Sequence, residues 1–337
     1  MSEPQSPSPM LLFETLNAYQ RTAAMKAAIE LELFTAVAEG AETAPEIAAG
    51  CAASERGTRI LCDYLVIIGF LTKNGDRYGL TPDAAVFLDR RSPAYMGGAI
   101  EFLLSPSIVA GFQELTAAVR KGGTAIPSEG TVAAEHPVWV QFDRAMMPMM
   151  AMPAQQIVDL APCRADRKVS VLDIAAGHGL FGIAFAQRYP HAEVTALDWP
   201  QVLEVARENA ERAGVGDRHH LLPGSAFDVE YGVGHDLVLL TNFLHHFDIP
   251  TCETLLGKVH AALGEGGRAV TLEFIPNDDR VTPPPAAAFS LTMLGSTPSG
   301  DAYTFRELES MFRSAGFSRS ELFPLPQSGG AVVVSHR

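Results

Sequence analysis

Apolar residues follow two different periods along this chain. Leu12, Phe13, Leu16, Tyr19, Ala23 and Ala27 recur at three- and four-residue intervals, the spacing of one helix face, and Leu31, Leu33, Phe34 and Val37 carry the pattern to Gly40. Thr43 with Glu46 three residues later has the form of a capping box, which predicts a short helix over 45–49. Residues 58–68 predict another helix. The period then changes in GFLTKNGDRYGLT, residues 69–81: a short strand at Phe70 and Leu71, a tight turn at Asn74–Gly75 and a return strand over 78–80. Helix, helix, hairpin is the outline of a winged-helix module. Residues 95–160 read as helical again, with a stripe through Phe102, Leu103, Ile108, Phe112 and Leu115 and a break at Gly122 and Gly123. The segment 139–152 holds five methionines with Trp139 and Phe142, and Pro148 and Pro153 interrupt it. Such a run serves equally as core packing or as an adaptable wall beside a ligand.

From Lys168 short apolar strands alternate with helices. Strands are predicted over 169–174, 194–197, 220–222, 236–241 and 268–274, and helices over 180–188, 201–213, 252–263 and 304–315. Two late strands follow, over 321–324 and 331–334. This alternation predicts an α/β domain with a mostly parallel sheet covered on both faces. At 337 residues the chain exceeds one comfortable core. The division expected is a winged-helix-like domain over 10–110, a helical linker and pocket wall over 111–160, and a sheet domain over 161–337.

Charge narrows the partners. With 39 acidic against 25 basic residues the formal net charge is −14, which does not draw polyanions to the surface as a whole. The helix that would read DNA in a winged module, near 54–68, offers only Arg56 and Arg59 as cations and is otherwise largely apolar, so packing or dimerisation suits it better than nucleic acid. No run of 18 apolar residues predicts a membrane span. The Ser- and Pro-rich start reads as disordered and lacks the pattern of a secretory signal. The four cysteines are scattered with no Cys-x-x-Cys pair, so a reduced, cytoplasmic setting is expected.

The sharpest chemical feature is VLDIAAGHGLFG, residues 171–182. A strand delivers Asp173 to the sheet edge, and Gly177 and Gly179 let the backbone turn tightly against a ligand where open sheets bind nucleotides. Glycines at this spacing also occur in dinucleotide folds. The acid ahead of the loop repels a pyrophosphate but not a cationic amino-acid tail, and Gly182 is not at the dinucleotide spacing. Asp198, ending the next strand in ALDWP, suits both hydroxyls of a ribose. Trp199 beside it flanks an adenosine or packs at a helix start. The strand over 236–241 runs into Asn242, His245 and His246. A strand end next to the cofactor face is where a base should stand, and histidine has a pKa suited to the task. Glu273 ends the following strand and is placed to orient such a histidine. Asp248 is a possible helix cap. The spacing of the two histidines and Asp248 matches no usual metal site, so no metal is expected.

Together the GFLTKNGDRYGLT hairpin, the glycine loop, ALDWP, NFLHHFD and the strand ending in Glu273 resemble the small-molecule O-methyltransferase family with an N-terminal dimerisation domain. The family includes plant phenolic enzymes and a bacterial hydroxyneurosporene-methyltransferase-like branch, which looks closest. The resemblance implies a Rossmann-like class I methyltransferase domain with a mixed, mostly parallel sheet behind a winged-helix dimerisation domain, a homodimer, and S-adenosylmethionine as cofactor. It implies that His245 is the base, since the family's catalytic histidine precedes an acid that His246 replaces here, and that Glu273 orients it. A second family acid falls at Ala302, with Asp301 adjacent. The resemblance also assigns PGSAFD to the adenine, with Ser225 where relatives carry Asp and with Ala226 and Phe227 beside it. The apolar helix containing Phe289 and Met293 would cover the substrate and, with Phe142, Met146, Met150 and His246, build its pocket. Methyl transfer to a hydroxyl of a small aromatic or polyketide-like molecule is the function implied. Transfer to carbon or nitrogen, or an inactive cofactor-binding regulator, are the alternatives.

Overall fold

A computed structural model describes residues 7–126, 130–132, 138–325 and 329–337; residues 1–6, most of the Ser- and Pro-rich start, lie outside them. The chain divides into two units, Met1–Ile100 and Glu101–Arg337.

In the first unit the stripe read as helix over 11–40 becomes three helices, Met10–Leu16, Ala18–Glu30 and Leu33–Ala38. The last break falls at Glu32, whose φ of 55° lies in the left-handed region and turns the chain. The expected capping box is formed: the Thr43 amide donates to Glu46 Oε2 at 2.9 Å and starts the helix Ala44–Gly50. The helix Glu55–Ile67 is followed by the hairpin β1 (Leu71–Asn74) and β2 (Arg77–Leu80). Asn74 pairs with Arg77, so the two-residue turn is Gly75–Asp76, one position later than expected, with Gly75 at φ 63°. Asp63 ties helix to hairpin: its carboxylate accepts from the Tyr78 hydroxyl at 2.8 Å and from Arg59 at 2.9 Å, and it pairs with Lys73. Arg59, one of two cations on the would-be reading helix, is thus engaged inside the module. Leu33, Phe34, Ile47 and Leu65 fill the core. Outside it, Leu11, Phe13, Leu16 and Tyr19 are each more than half exposed.

The second unit is built on seven strands: β3 (Val169–Ile174), β4 (Ala192–Asp198), β5 (His219–Pro223), β6 (His235–Thr241), β7 (Leu263–Glu273), β8 (Arg319–Leu325) and β9 (Gly330–His336). Their order across the sheet is β5-β4-β3-β6-β7-β9-β8. The first five are parallel, and β9 is antiparallel to both its neighbours. This is the mixed, mostly parallel sheet of the Rossmann-like class I methyltransferase fold. Side chains alternate along β3 and β6, so both faces are dry. Val171, Leu237 and Leu239 join Phe181, Phe185 and Ile157 on one face. Leu172, Val238 and Leu240 join Leu256 and Phe312 on the other. Because β3, β4, β6 and β7 run the same way, Asp173, Asp198, Asn242 and Glu273 all arrive at one edge.

Two features differ from the sequence expectation. The Met-rich segment is one helix, Val138–Leu160, with Pro148 and Pro153 inside it. An interior proline costs about 3 kcal/mol through its missing N–H and ring clash, but Ala154, Ile157 and Val158 bury here against the sheet and hold the helix together. The apolar helix containing Phe289 and Met293, expected only to cover a substrate, is Pro284–Ser296 and is also tied into the frame. Its last turn is clamped by two threonines: Thr124 Oγ1 donates to Gly295 O at 2.8 Å and Thr131 Oγ1 to Ser296 O at 3.2 Å. Gly111 meets the same turn so closely that a Cβ there would sit 2.5 Å from Gly295 O. Among the described residues no helix is long and apolar enough to cross a membrane.

Gly111 therefore sets the spacing of the clamp. Gly111→Ala is expected to lower the unfolding free energy by about 1–3 kcal/mol through overpacking against backbone. Gly257→Ala, in a helix where nothing lies within 4 Å of the new Cβ, should raise it by about 0.5–1 kcal/mol. Urea unfolding followed by circular dichroism checks both.

Candidate active site

The floor of the site is the loop between β3 and the helix Leu180–Arg188. Ala175, Gly177 and Gly179 have φ of 53°, 55° and 75°, so the chain doubles back at every second residue. Asp198 fixes this turn. Its Oδ2 accepts from the Gly177 amide at 2.9 Å and its Oδ1 from the Trp199 amide at 2.7 Å. Burial pushes its carboxyl up to about 6. Above the loop is a cavity of about 350 Å³. Of the residues read as a cofactor site, Gly177, Asp198, Trp199, Ser225, Ala226, Phe227 and Asn242 line it. Ser225 Oγ accepts from the Phe227 amide at 3.1 Å, which folds the turn inward. Lys258, which the sequence reading missed, holds that turn from behind by donating to the carbonyls of Ala226, Phe227 and Val229 at 3.1, 2.6 and 3.2 Å.

Asp173 and Gly179 do not line the cavity. Asp173 is fully buried beneath the loop, where its Oδ2 accepts from the Gly182 amide at 3.0 Å and its Oδ1 has no partner among the described residues. Burial pushes its carboxyl up to about 8. A carboxylate does face the loop from above, but it belongs to Asp143, on the helix Val138–Leu160. Asp143 is 2% exposed, it lines the cavity, and a Cβ on Gly177 would collide with its Oδ1. Its Oδ2 has no partner. Burial, then the charge of Asp198, raise its pKa well above the carboxylate range, and the His178 amide offsets part of this. A sequence signal existed: Asp143 falls four residues after Trp139, on the apolar stripe shared with Phe142 and Met146.

The opposite wall comes from the ends of β6 and β7. Asn242, at φ 54°, donates from its backbone to Leu272 O at 2.7 Å and from Nδ2 to Met150 Sδ at 3.7 Å. The following turn carries His245 and His246. Glu273 holds it: Oε1 accepts from the amides of Phe243 at 3.0 Å and Leu244 at 2.8 Å, and Oε2 is hydrogen-bonded to His245 Nδ1. A neutral imidazole beside that carboxylate carries its proton on Nδ1, which leaves Nε2 as the basic nitrogen. His245 does not line the cavity. Its ring stands 4.3 Å, centroid to centroid, from His246 and 4.9 Å from Phe289, which in turn stacks on Phe274 at 4.1 Å. His246 does line it, edge-on to Trp139 at 5.2 Å, with Nδ1 unpartnered. Burial and the neighbouring His245 push its pKa well down, so it is neutral.

Phe142 reaches the cavity, whereas Met146 and Met293 are buried outside its lining. Asp301 turns to Arg280 at 3.1 Å and to the Ala302 amide at 2.8 Å. Asp248 is a helix cap, accepting from the Thr251 amide at 2.9 Å. Among the described residues no group of three or more His, Cys, Asp or Glu is placed to hold a metal.

Known protein families match most of the chain. The O-methyltransferase domain family matches residues 112–318 and the O-methyltransferase dimerisation domain family matches residues 13–90. The chain belongs to the small-molecule O-methyltransferase family. It is 30% identical to a 3-hydroxy-5-methyl-1-naphthoate 3-O-methyltransferase of Streptomyces sahachiroi, over 98% of this chain and 96% of that one. A crystal structure from Nostoc punctiforme, described as a candidate O-methyltransferase, superposes with a TM-score of 0.95 at 58% identity, covering 99% of this chain and 100% of that one. Human N-acetylserotonin methyltransferase, solved with S-adenosylmethionine, shares the fold at 22% identity and a TM-score of 0.83, covering 100% and 99% of the two chains. Within this member of the family the loop, the Asp198 shelf and the His245–Glu273 pair meet at one sheet edge.

The buried Asp173 has a consequence for stability. Its folded pKa of about 8 lies above the ordinary value near ~4, so the folded state keeps a proton that the unfolded chain releases. Stability therefore falls as pH rises from about 4 towards 8. Asp173→Asn removes this dependence. Urea unfolding between pH 5 and 7.5 should show a shallower decline for the variant, by up to about 1.4 kcal/mol per pH unit.

Proposed function

We propose that this protein transfers a methyl group from S-adenosylmethionine to a hydroxyl of a small aromatic or polyketide-like molecule, and does so as a homodimer. The observation that carries the reading is the meeting of two things at one sheet edge: a glycine-floored cavity with Asp198 on its shelf, and a buried histidine already oriented by Glu273.

The cofactor fits the residues present. Asp143, Asp198 and Asp228 line the cavity, and no Lys or Arg does among the described residues. Such a lining repels the pyrophosphate of a dinucleotide and accepts a nucleoside carrying a cationic amino-acid tail. Asp198 would hold the ribose, Ser225, Ala226 and Phe227 the base with Trp199 against it, and Gly177 and Asn242 the tail. Asp173 and Gly179 support the loop from below. When bound, S-adenosylmethionine supplies an electrophilic methyl group.

The chain's own work is positioning and proton transfer. His245 Nε2 accepts the acceptor's hydroxyl proton, and the Glu273 carboxylate stabilises the imidazolium that results. The cavity lining favours a flat, apolar acceptor: Trp139, Phe142, Phe243 and Phe247 contribute ring surface. His246, neutral and unpartnered at Nδ1, is available to a polar group on the acceptor. Phe289 packs on the His245 ring, and Met150 Sδ accepts from Asn242 Nδ2. The exposed stripe of Phe13, Leu16 and Tyr19, within the matched dimerisation domain, supports the homodimer.

Calorimetric titration with S-adenosylmethionine and, in parallel, NADH tests the cofactor. Micromolar binding of the first and none of the second is expected, and binding of NADH alone would sink the reading. In a screen of phenolic acceptors, His245→Ala should lower kcat by about 10²–10⁴-fold while leaving the affinity for S-adenosylhomocysteine unchanged. Glu273→Gln should lower kcat in the same direction by a smaller factor. A His245→Ala variant with wild-type turnover removes histidine from the mechanism.

A further inference from the structure

The cavity holds one group that neither the fold nor the proton transfer just described uses. Asp143 enters from the helix Val138–Leu160, opposite the sheet edge that supplies the other polar residues. It is buried, one oxygen lies over Gly177, and the other has no hydrogen-bond partner although it is out of water. No Lys or Arg among the described lining residues balances it, and the charge of Asp198 disfavours its ionised form. An unpaired carboxylate buried beside a second one is costly unless something cationic completes the arrangement.

We propose that Asp143 recognises the α-ammonium group of the cofactor's amino-acid tail, making it a second ligand-reading carboxylate alongside Asp198. This rests on the reading of the cavity as an S-adenosylmethionine site. The chemistry selects the ammonium over the sulfonium: only the ammonium has N–H donors, and the unpartnered Oδ2 of Asp143 is an acceptor without a donor. The position fits as well. Asp198 occupies the strand end that takes a ribose, and Asp143 lies across the glycine loop from it, where the tail of a nucleoside held by Asp198 would extend. The role that the sequence suggested for Asp173, a carboxylate facing a cationic tail, thus falls to a residue 30 positions earlier on a different element.

A cycle between protein and ligand tests this. Three ligands are titrated calorimetrically into wild type and Asp143→Asn: S-adenosylhomocysteine, its analogue with hydrogen in place of the α-amino group, and 5′-methylthioadenosine, which has no amino-acid tail. In the wild type, removing the amino group should weaken binding about 10- to 100-fold, the range of a buried charge-assisted hydrogen bond. Asp143→Asn should weaken S-adenosylhomocysteine by a similar factor, leave 5′-methylthioadenosine within about 2-fold, and show no further loss with the des-amino analogue. If the two losses multiply, or if Asp143→Asn weakens 5′-methylthioadenosine equally, Asp143 only supports the loop and the proposal falls. Should the variant not fold, the wild type decides alone: equal affinity for S-adenosylhomocysteine and its des-amino analogue overturns the proposal. Wild type that binds none of the three ligands refutes the cofactor reading itself, a distinct result.

Discussion

The carboxylate of Glu273 accepts from the amides of Phe243 and Leu244 and from the His245 ring. With one group it therefore fixes the turn that follows β6, joins the ends of two parallel strands and sets the tautomer of the histidine. A buried acid is tolerated there because its oxygens are met by three donors, two of them backbone amides whose positions the sheet already determines. Moving the β6 turn would at once move His245, His246 and Asn242, and with them the wall of the cavity. The geometry of the site is thus a by-product of strand register rather than of flexible loops.

Three buried acids at the site are held differently. Asp198 is satisfied by two backbone amides, whereas among the described residues Asp173 and Asp143 each keep one oxygen without a partner. Burial raises the pKa of all three. Each opposes folding as pH rises, so stability is given up at the edge of the sheet beside the cavity, and the dry two-faced core behind it compensates. Position relative to the cavity also sorts the acids by task. Asp173 is buttressed inside the loop, Asp198 shapes the loop while facing the cavity, and Asp143 faces the cavity with capacity to spare.

The roof is built on another principle. The helix Pro284–Ser296 brings Phe289 against His245, and its last turn is gripped by backbone and hydroxyl contacts from the chain near Thr124 and Thr131. Gly111 allows that grip because it has no side chain to hold the two backbones apart. A helix that reads in sequence as an apolar cover is in this way part of the frame.

Much of this was legible in one sequence. Short apolar strands alternating with helices established the sheet. The spacing of Asp173, Gly177 and Gly179, then Asp198, located the sheet edge that carries the cavity, and His245 with Glu273 emerged as strand-end residues because parallel strands must deliver their ends to one side. These features are local in the chain or follow from topology. What sequence spacing could not resolve was which of several nearby groups faces the ligand. Asp173 reads as a ligand acid yet lies under the loop, because its side chain points into the sheet's packed face. Asp143 was not singled out in the sequence yet faces the cavity, because the helix that carries it continues through two prolines and sets its apolar stripe inward. Side-chain direction depends on contacts between elements far apart in the chain, and only the tertiary structure supplies them.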